Sequence, residues 1–150
     1  MKTTRVVLAD DHPIVRASIR RLLEKADDIE VVGEAGDGIE TIRLVEELAP
    51  DVLLLDVEMP GMKGFEVARR LQAAGTPVRI LALSAYDDKQ YILAMLASGA
   101  TGYLTKAEAP QTIIHAVREA AKGRTDQDNP AHKEDAHGPD NPSGAKQPKV

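Results

Sequence analysis

An α/β architecture, a parallel sheet with helices on both faces, follows from two regularities in this chain. Short apolar runs alternate five times with stretches of helical periodicity, the pattern of strands joined by crossover helices. One of those runs, Val52–Leu55, is continuously apolar, as a strand buried on both faces must be.

The elements follow in order. Val6–Ala9 reads as the first strand. Pro13 stands at the first position of a helix that places Ile14, Ile19, Leu22 and Leu23 on one face. Ile29–Glu34 alternates apolar and polar, which suits a half-exposed strand. Asp37 and Glu40 have capping-box spacing, and the second helix ends before Pro50. After the third strand, Pro60-Gly61 marks a loop, and Phe65, Val67, Ala68 and Leu71 make a third helix that stops at Gly75. Val78–Leu83 is the fourth strand. Asp87, with Gln90 three residues on, starts a fourth helix that ends at Ser98-Gly99. Thr101–Leu104 is a short edge strand. Pro110 opens the last helix behind a weak cap, Ala109, with Ile113, Ile114 and Val117 toward the core. Right-handed crossovers give the flavodoxin-like strand order 2-1-3-4-5.

Composition changes at Gly123. Arg124 to Lys149 holds no Leu, Ile, Val, Met or aromatic residue and four of the nine prolines. Such a stretch cannot bury enough apolar area to offset its ordering entropy, so 124–150 is expected to be a disordered polar tail. The net charge is −5, and neither segment has the basic balance of a nucleic-acid footprint. The absence of cysteine excludes disulfides, thiolate metal sites and thiol chemistry. No signal peptide or membrane-length apolar run is present, so a cytoplasmic protein with no membrane partner is expected.

The chemistry lies where the strands end. Asp10 and Asp11 follow the first, Asp56 the third, Ser84 the fourth and Lys106 the fifth. In a parallel sheet these ends share one edge, where open α/β folds bind ligands. Taken singly, each is an ordinary surface or loop residue; together they suit a divalent cation and a phosphoryl group. Mg²⁺ takes hard oxygen ligands, Asp10 and Asp11 among them. Asp56 supplies either a third ligand or a nucleophile that forms an acyl phosphate. Three carboxylates in one pocket repel, so without a cation at least one has a raised pKa. His12 stands next to the acidic pair and is read as the residue before the helix-starting Pro13. Arg16, Arg20 and Arg21 form a basic edge on the first helix, a solvated face or a kinase-docking contribution.

Residues 5–123 resemble the receiver domain of bacterial two-component response regulators. The motifs are Asp10-Asp11, Leu54-Leu55-Asp56-Val57-Glu58-Met59-Pro60-Gly61, Leu83-Ser84-Ala85, and Gly99-Ala100-Thr101-Gly102-Tyr103-Leu104-Thr105-Lys106. Asp11-His12-Pro13 with Val15-Arg16, and the Gly-Ala-x-Gly-Tyr-Leu run, are similar to receivers that precede LuxR-type helix-turn-helix modules. The resemblance implies that residues 1–123 are a receiver and Asp56 the phospho-acceptor. It implies Mg²⁺ held directly by Asp11 and Asp56, through water by Asp10, and by the backbone carbonyl of Glu58. Lys106 then contacts the phosphoryl oxygens, Ser84 turns toward them on activation, and Tyr103 swings inward behind it. The implied partners are a sensor histidine kinase or phosphotransfer protein, and a second copy in a homodimer. The chain acts on no substrate beyond its own phosphoryl acceptance and hydrolysis.

Nothing after Gly123 resembles a helix-turn-helix. Function through protein contacts is therefore set beside a transcription regulator whose output module lies outside this chain, and no DNA binding by the chain itself is expected. Ala107 replaces the proline that many receivers carry after the lysine, as is common in the LuxR-type subgroup, and Ser84 replaces the commoner threonine. Glu58 and Tyr86 flank the site and are candidates for tuning phosphoryl lifetime. An aspartate-nucleophile phosphatase is disfavoured: such enzymes carry the nucleophile after the first strand, in an Asp-x-Asp motif. A receiver that never becomes phosphorylated is disfavoured because every required side chain is present.

Overall fold

A computed structural model describes residues 2–85 and 89–127. The elements run β1 Thr4–Ala9, α1 Pro13–Glu24, β2 Ile29–Ala35, α2 Gly38–Leu48, β3 Val52–Asp56, α3 Gly64–Ala73, β4 Arg79–Ser84, α4 Lys89–Ala97, β5 Gly102–Thr105 and α5 Pro110–Gln127. All strand pairs are parallel, and the order is β2-β1-β3-β4-β5. The expected flavodoxin-like α/β fold is the observed one.

Alternation along the central strands divides the core between the two faces of the sheet. Val6, Leu8, Val52, Leu54, Leu81, Leu83 and Leu104 pack beneath α1 and α5. Val7, Ala9, Leu53, Leu55, Ile80 and Ala82 pack beneath α2, α3 and α4. The third strand is buried at every position, as its unbroken apolar run requires.

Local chemistry fixes the helix ends. Asp37 accepts the Glu40 amide at 2.8 Å and caps α2. Only half of the expected capping box forms, because the Glu40 carboxylate pairs with Arg43 instead. At the other end of α2, Arg5 Nη1 donates to the carbonyls of Leu48 at 2.6 Å and Ala49 at 3.1 Å, satisfying acceptors that the helix leaves free.

Three sequence expectations need correction. Ile14 is 83% exposed: at about 100° per residue it lies opposite Leu23 on the helix. The buried stripe of α1 is instead Val15, Ile19, Leu22 and Leu23. The fourth and fifth strands each begin and end one residue later than expected. The last helix continues four residues past Gly123, to Gln127, so the boundary drawn there moves into the polar stretch. The remaining tail residues, with His132 and His137, lie outside the described residues, as do Tyr86 and the expected cap Asp87.

Candidate functional site

Strand register brings the predicted residues together. Ala9 pairs with Leu55, so Asp10 and Asp56 stand level at the sheet edge. Asp56 pairs with Leu83 and Ser84 with Thr105, which sets Ser84 one step and Lys106 two steps further out. Asp10, Asp56 and Ser84 are buried, at 0%, 2% and 2% exposure. Asp11 keeps about a quarter of its side chain in solvent.

Lys106 is the hub. Its Nζ lies 2.9 Å from Asp56 Oδ2 and 2.9 Å from Asp10 Oδ2. The other Asp56 oxygen accepts the Glu58 amide at 3.1 Å. Asp10 Oδ1 accepts the His12 amide at 2.9 Å and lies 3.1 Å from His12 Nδ1. That nitrogen is also 3.1 Å from Asp11 Oδ1. Even so, Asp10 Oδ2 and Asp11 Oδ1 are buried and accept no hydrogen bond of good geometry; their nearby nitrogens are ion-pair neighbours only. Asp10 Oδ2 already faces the Lys106 ammonium, whereas Asp11 Oδ1 is a buried carboxylate oxygen without a good donor, an atom that a cation would satisfy.

One ligand atom from each of Asp10, Asp11, His12 and Asp56 fits within a span of 4.8 Å. An oxygen-rich cluster suits Mg²⁺, which is typically held by a few carboxylates and water, and the buried Asp11 Oδ1 without a good donor fits that group. His12 reads from the sequence chiefly as a helix-start residue, with direct chemistry beside the acidic pair as the lesser alternative. It does occupy the N-cap of α1, without a side-chain cap bond, but its ring also leans over the acidic pair.

Burial pushes the Asp56 carboxyl up to about 6. The Lys106 hydrogen bond and the Glu58 amide pull the other way, and Asp10 adds a smaller upward push. A raised carboxyl was expected from mutual repulsion; desolvation is the larger cause. Burial lowers Lys106, but the Asp10 and Asp56 carboxylates beside it outweigh that and raise it.

A cavity of about 40 Å³ opens beside Asp56, lined by His12, Val57, Glu58, Ser84, Ala85, Tyr91 and Lys106, room enough for a water-sized group. A larger cleft of about 330 Å³ lies among Lys2, Thr4, Asp28, Asp51 and Arg118. Its Arg118–Asp28 pair faces solvent, and it gathers no buried ionisable cluster. Tyr103 is half-buried on β5 and packs on the α3–α4 side of the sheet.

Two residues at or next to the pocket have no site role in the sequence reading. Tyr91 packs against the core and also lines the cavity, with Lys63 Nζ 5.4 Å from its ring centre. Gly64 lets α3 approach the loop after Asp56: a Cβ there would lie 2.6 Å from the Asp56 carbonyl oxygen and 2.9 Å from Val57 Cα. A glycine eight residues past Asp56, opening a helix, was the available signal.

Comparison with known proteins places this geometry in context. A family model described as the response regulator receiver domain matches residues 6–118. The chain is 40% identical over 118 residues to the nitrate/nitrite response regulator protein NarL of Escherichia coli, covering 79% of this chain and 55% of that one. It is 42% identical over 120 residues to a probable transcriptional regulatory protein NarL of Mycobacterium tuberculosis, covering 80% and 56%. It thus spans little more than half the length of the curated relatives it matches.

Among solved structures, the signal receiver domain of the putative response regulator NarL from Mycobacterium tuberculosis superposes with a TM-score of 0.79 at 40% identity, covering 82% of this chain and 99% of that one. A LuxR-family two-component response regulator from Aurantimonas gives 0.77 at 36% identity, over 82% and 88%. The parallel sheet, the acidic edge with its lysine and these relatives agree, and the chain belongs to the response regulator receiver family, with NarL- and LuxR-type regulators among its relatives.

Proposed function

We propose that the chain is a phosphorylation-dependent switch of a two-component system, with Asp56 as phospho-acceptor. The observation that carries this reading is the buried Asp56 carboxylate 2.9 Å from Lys106 Nζ, beside Asp10 and Ser84 at the sheet edge of a receiver fold. The donor is a phosphohistidine on a sensor kinase or phosphotransfer protein. An Asp56 oxygen attacks phosphorus, an O–P bond forms as the P–N bond breaks, and the bonding pair leaves on the imidazole nitrogen, which takes a proton from solvent. Lys106 offsets the charge gathered on the transferring oxygens. The Ser84 hydroxyl then donates to the phosphoryl group and Tyr103 moves inward behind it.

Asp10, Asp11, Asp56 and the Glu58 carbonyl are the groups to hold Mg²⁺, which when bound neutralises carboxylates and phosphoryl oxygens together. Water resets the switch by hydrolysing the acyl phosphate. Phosphorylation biases the Ser84–Tyr103 element and remodels the face made by α4, β5 and α5, with output through protein contacts, homodimerisation included. The setting is the cytoplasm. Among the described residues no helix is long and apolar enough to cross a membrane.

Incubation with Mg²⁺ and acetyl phosphate tests this by intact mass. One phosphoryl group added to the parent and none to Asp56→Ala is the expected result. No addition to a parent that binds Mg²⁺ contradicts it and leaves a metal-binding pseudo-receiver.

A second reading is favoured by the relatives, which are named as transcriptional regulators and extend well beyond the matched segment. In it, the same receiver chemistry controls a DNA-binding module outside this chain. The sequence of the full gene decides between the two.

A further inference from the structure

Of the basic edge expected on α1, Arg21 is exposed, whereas Arg16 and Arg20 have a partner on the sheet. Arg16 and Arg20 both turn onto Glu34 of β2. Arg16 Nε donates to Glu34 Oε1 at 2.9 Å, Arg20 Nη1 donates to Oε2, and Arg20 Nε donates to Glu24 at 3.1 Å. Burial raises the Glu34 carboxyl, but the bonds from Arg20 and Arg16 prevail and hold it below its ordinary value.

The other arm of Arg16 reaches the acceptor pocket, where Nη1 donates to the Asp10 carbonyl at 2.5 Å. That carbonyl belongs to the peptide joining Asp10 to Asp11. Its direction sets where the Asp11 side chain departs from the backbone. On either side the turn is already held: the Asp10 amide donates to Ala35 at 3.0 Å, and the His12 amide to Asp10 Oδ1. The Arg16 clamp fixes the peptide between them.

We propose that Arg16, braced by Glu34, is a positioning residue for the metal site, holding the Asp10–Asp11 turn so that both carboxylates face a divalent cation. The proposal rests on the reading that these aspartates hold Mg²⁺, which the clustered ligand atoms and the buried Asp11 Oδ1 without a good donor support. An arginine fork suits the task because it engages a carbonyl and a carboxylate at once.

Calorimetric titration of the full chain with Mg²⁺ tests it, alongside urea unfolding of each variant in chelator. Groups that orient metal ligands through hydrogen bonds typically matter to affinity, so Arg16→Ala is expected to weaken Mg²⁺ binding about ten-fold or more. Arg16→Lys keeps one donor for the carbonyl and is expected within about three-fold of the parent. Arg20→Ala touches Glu34 but not the turn and stays near the parent. Ile113→Val costs stability in the core without reaching the site and leaves affinity unchanged. Should Arg16→Ala fail to fold, Arg16→Met retains the aliphatic stem, loses every donor and weakens binding equally.

Unchanged affinity in Arg16→Ala or Arg16→Met overturns the proposal while the metal-site reading stands. Arg16→Lys binding as weakly as Arg16→Ala overturns it too, because a carbonyl clamp is then not the cause. A parent that binds no Mg²⁺ overturns the metal-site reading and this proposal together.

Discussion

Asp56 sits between opposing influences, and their balance has a consequence for stability. Burial and Asp10 favour its neutral form, whereas Lys106 and the Glu58 amide favour the carboxylate; the result is a pKa of about 6 against an ordinary 3.8. Because the folded state keeps this proton to higher pH than the unfolded chain, ionised Asp56 opposes folding. The opposition is absent below about pH 4, grows as pH rises and is complete above about pH 6. In chelator, the parent should therefore lose stability relative to Asp56→Asn across that window, with Mg²⁺ narrowing the gap at pH 7; urea unfolding from pH 4 to 7 checks the sign. The gathering of Asp10, Asp11, Asp56, Ser84 and Lys106 at one sheet edge was legible in the sequence because each stands at the end of an apolar run and strand register does the rest. The inward turn of Arg16 was not legible, since its partners Glu34 and the Asp10 carbonyl become neighbours only when β2 pairs with β1.

Element boundaries followed from caps and apolar runs, and they failed where periodicity was read too loosely. Asp37 capped α2 as its spacing implied, whereas Ile14 was grouped with Leu23 although half a helical turn separates them in projection. The start of α3 depends on Gly64, which sits against the Asp56 and Val57 backbone with no room for a methyl. Because the obstructing atoms are backbone, the clash cannot be relieved by a side-chain rotation. Gly64→Ala should cost about 1–3 kcal/mol and slow phosphorylation by displacing the acceptor loop. Unfolding midpoints and the rate of phosphoryl incorporation measure both effects. The polar stretch after Gly123 carries no apolar periodicity to mark a helix end, and α5 runs four residues into it.

At the level of the molecule, one sheet serves two cores, and the acidic edge is the place where neither covers it. Leu54 belongs to the core under α1 and α5, Leu55 to the one under α2, α3 and α4. Since both leucines are fully buried on a shared strand, Leu54→Ala and Leu55→Ala should each cost about 2–5 kcal/mol. Both should retain a single cooperative urea transition, because the strand ties the two layers together. The topology was legible because five apolar runs separated by helices leave few right-handed arrangements.

The central claim is that a phosphoryl group resides on the Asp56 carboxylate, and chemical mapping addresses it most directly. Borohydride reduces an acyl phosphate to the corresponding alcohol, so phosphorylated chain treated in this way and digested should yield homoserine at position 56. Homoserine there, dependent on Mg²⁺ and phosphodonor, is the predicted result. Reduction at Asp10 or Asp11, or a phosphoryl group retained on His12 or Ser84, would contradict the account.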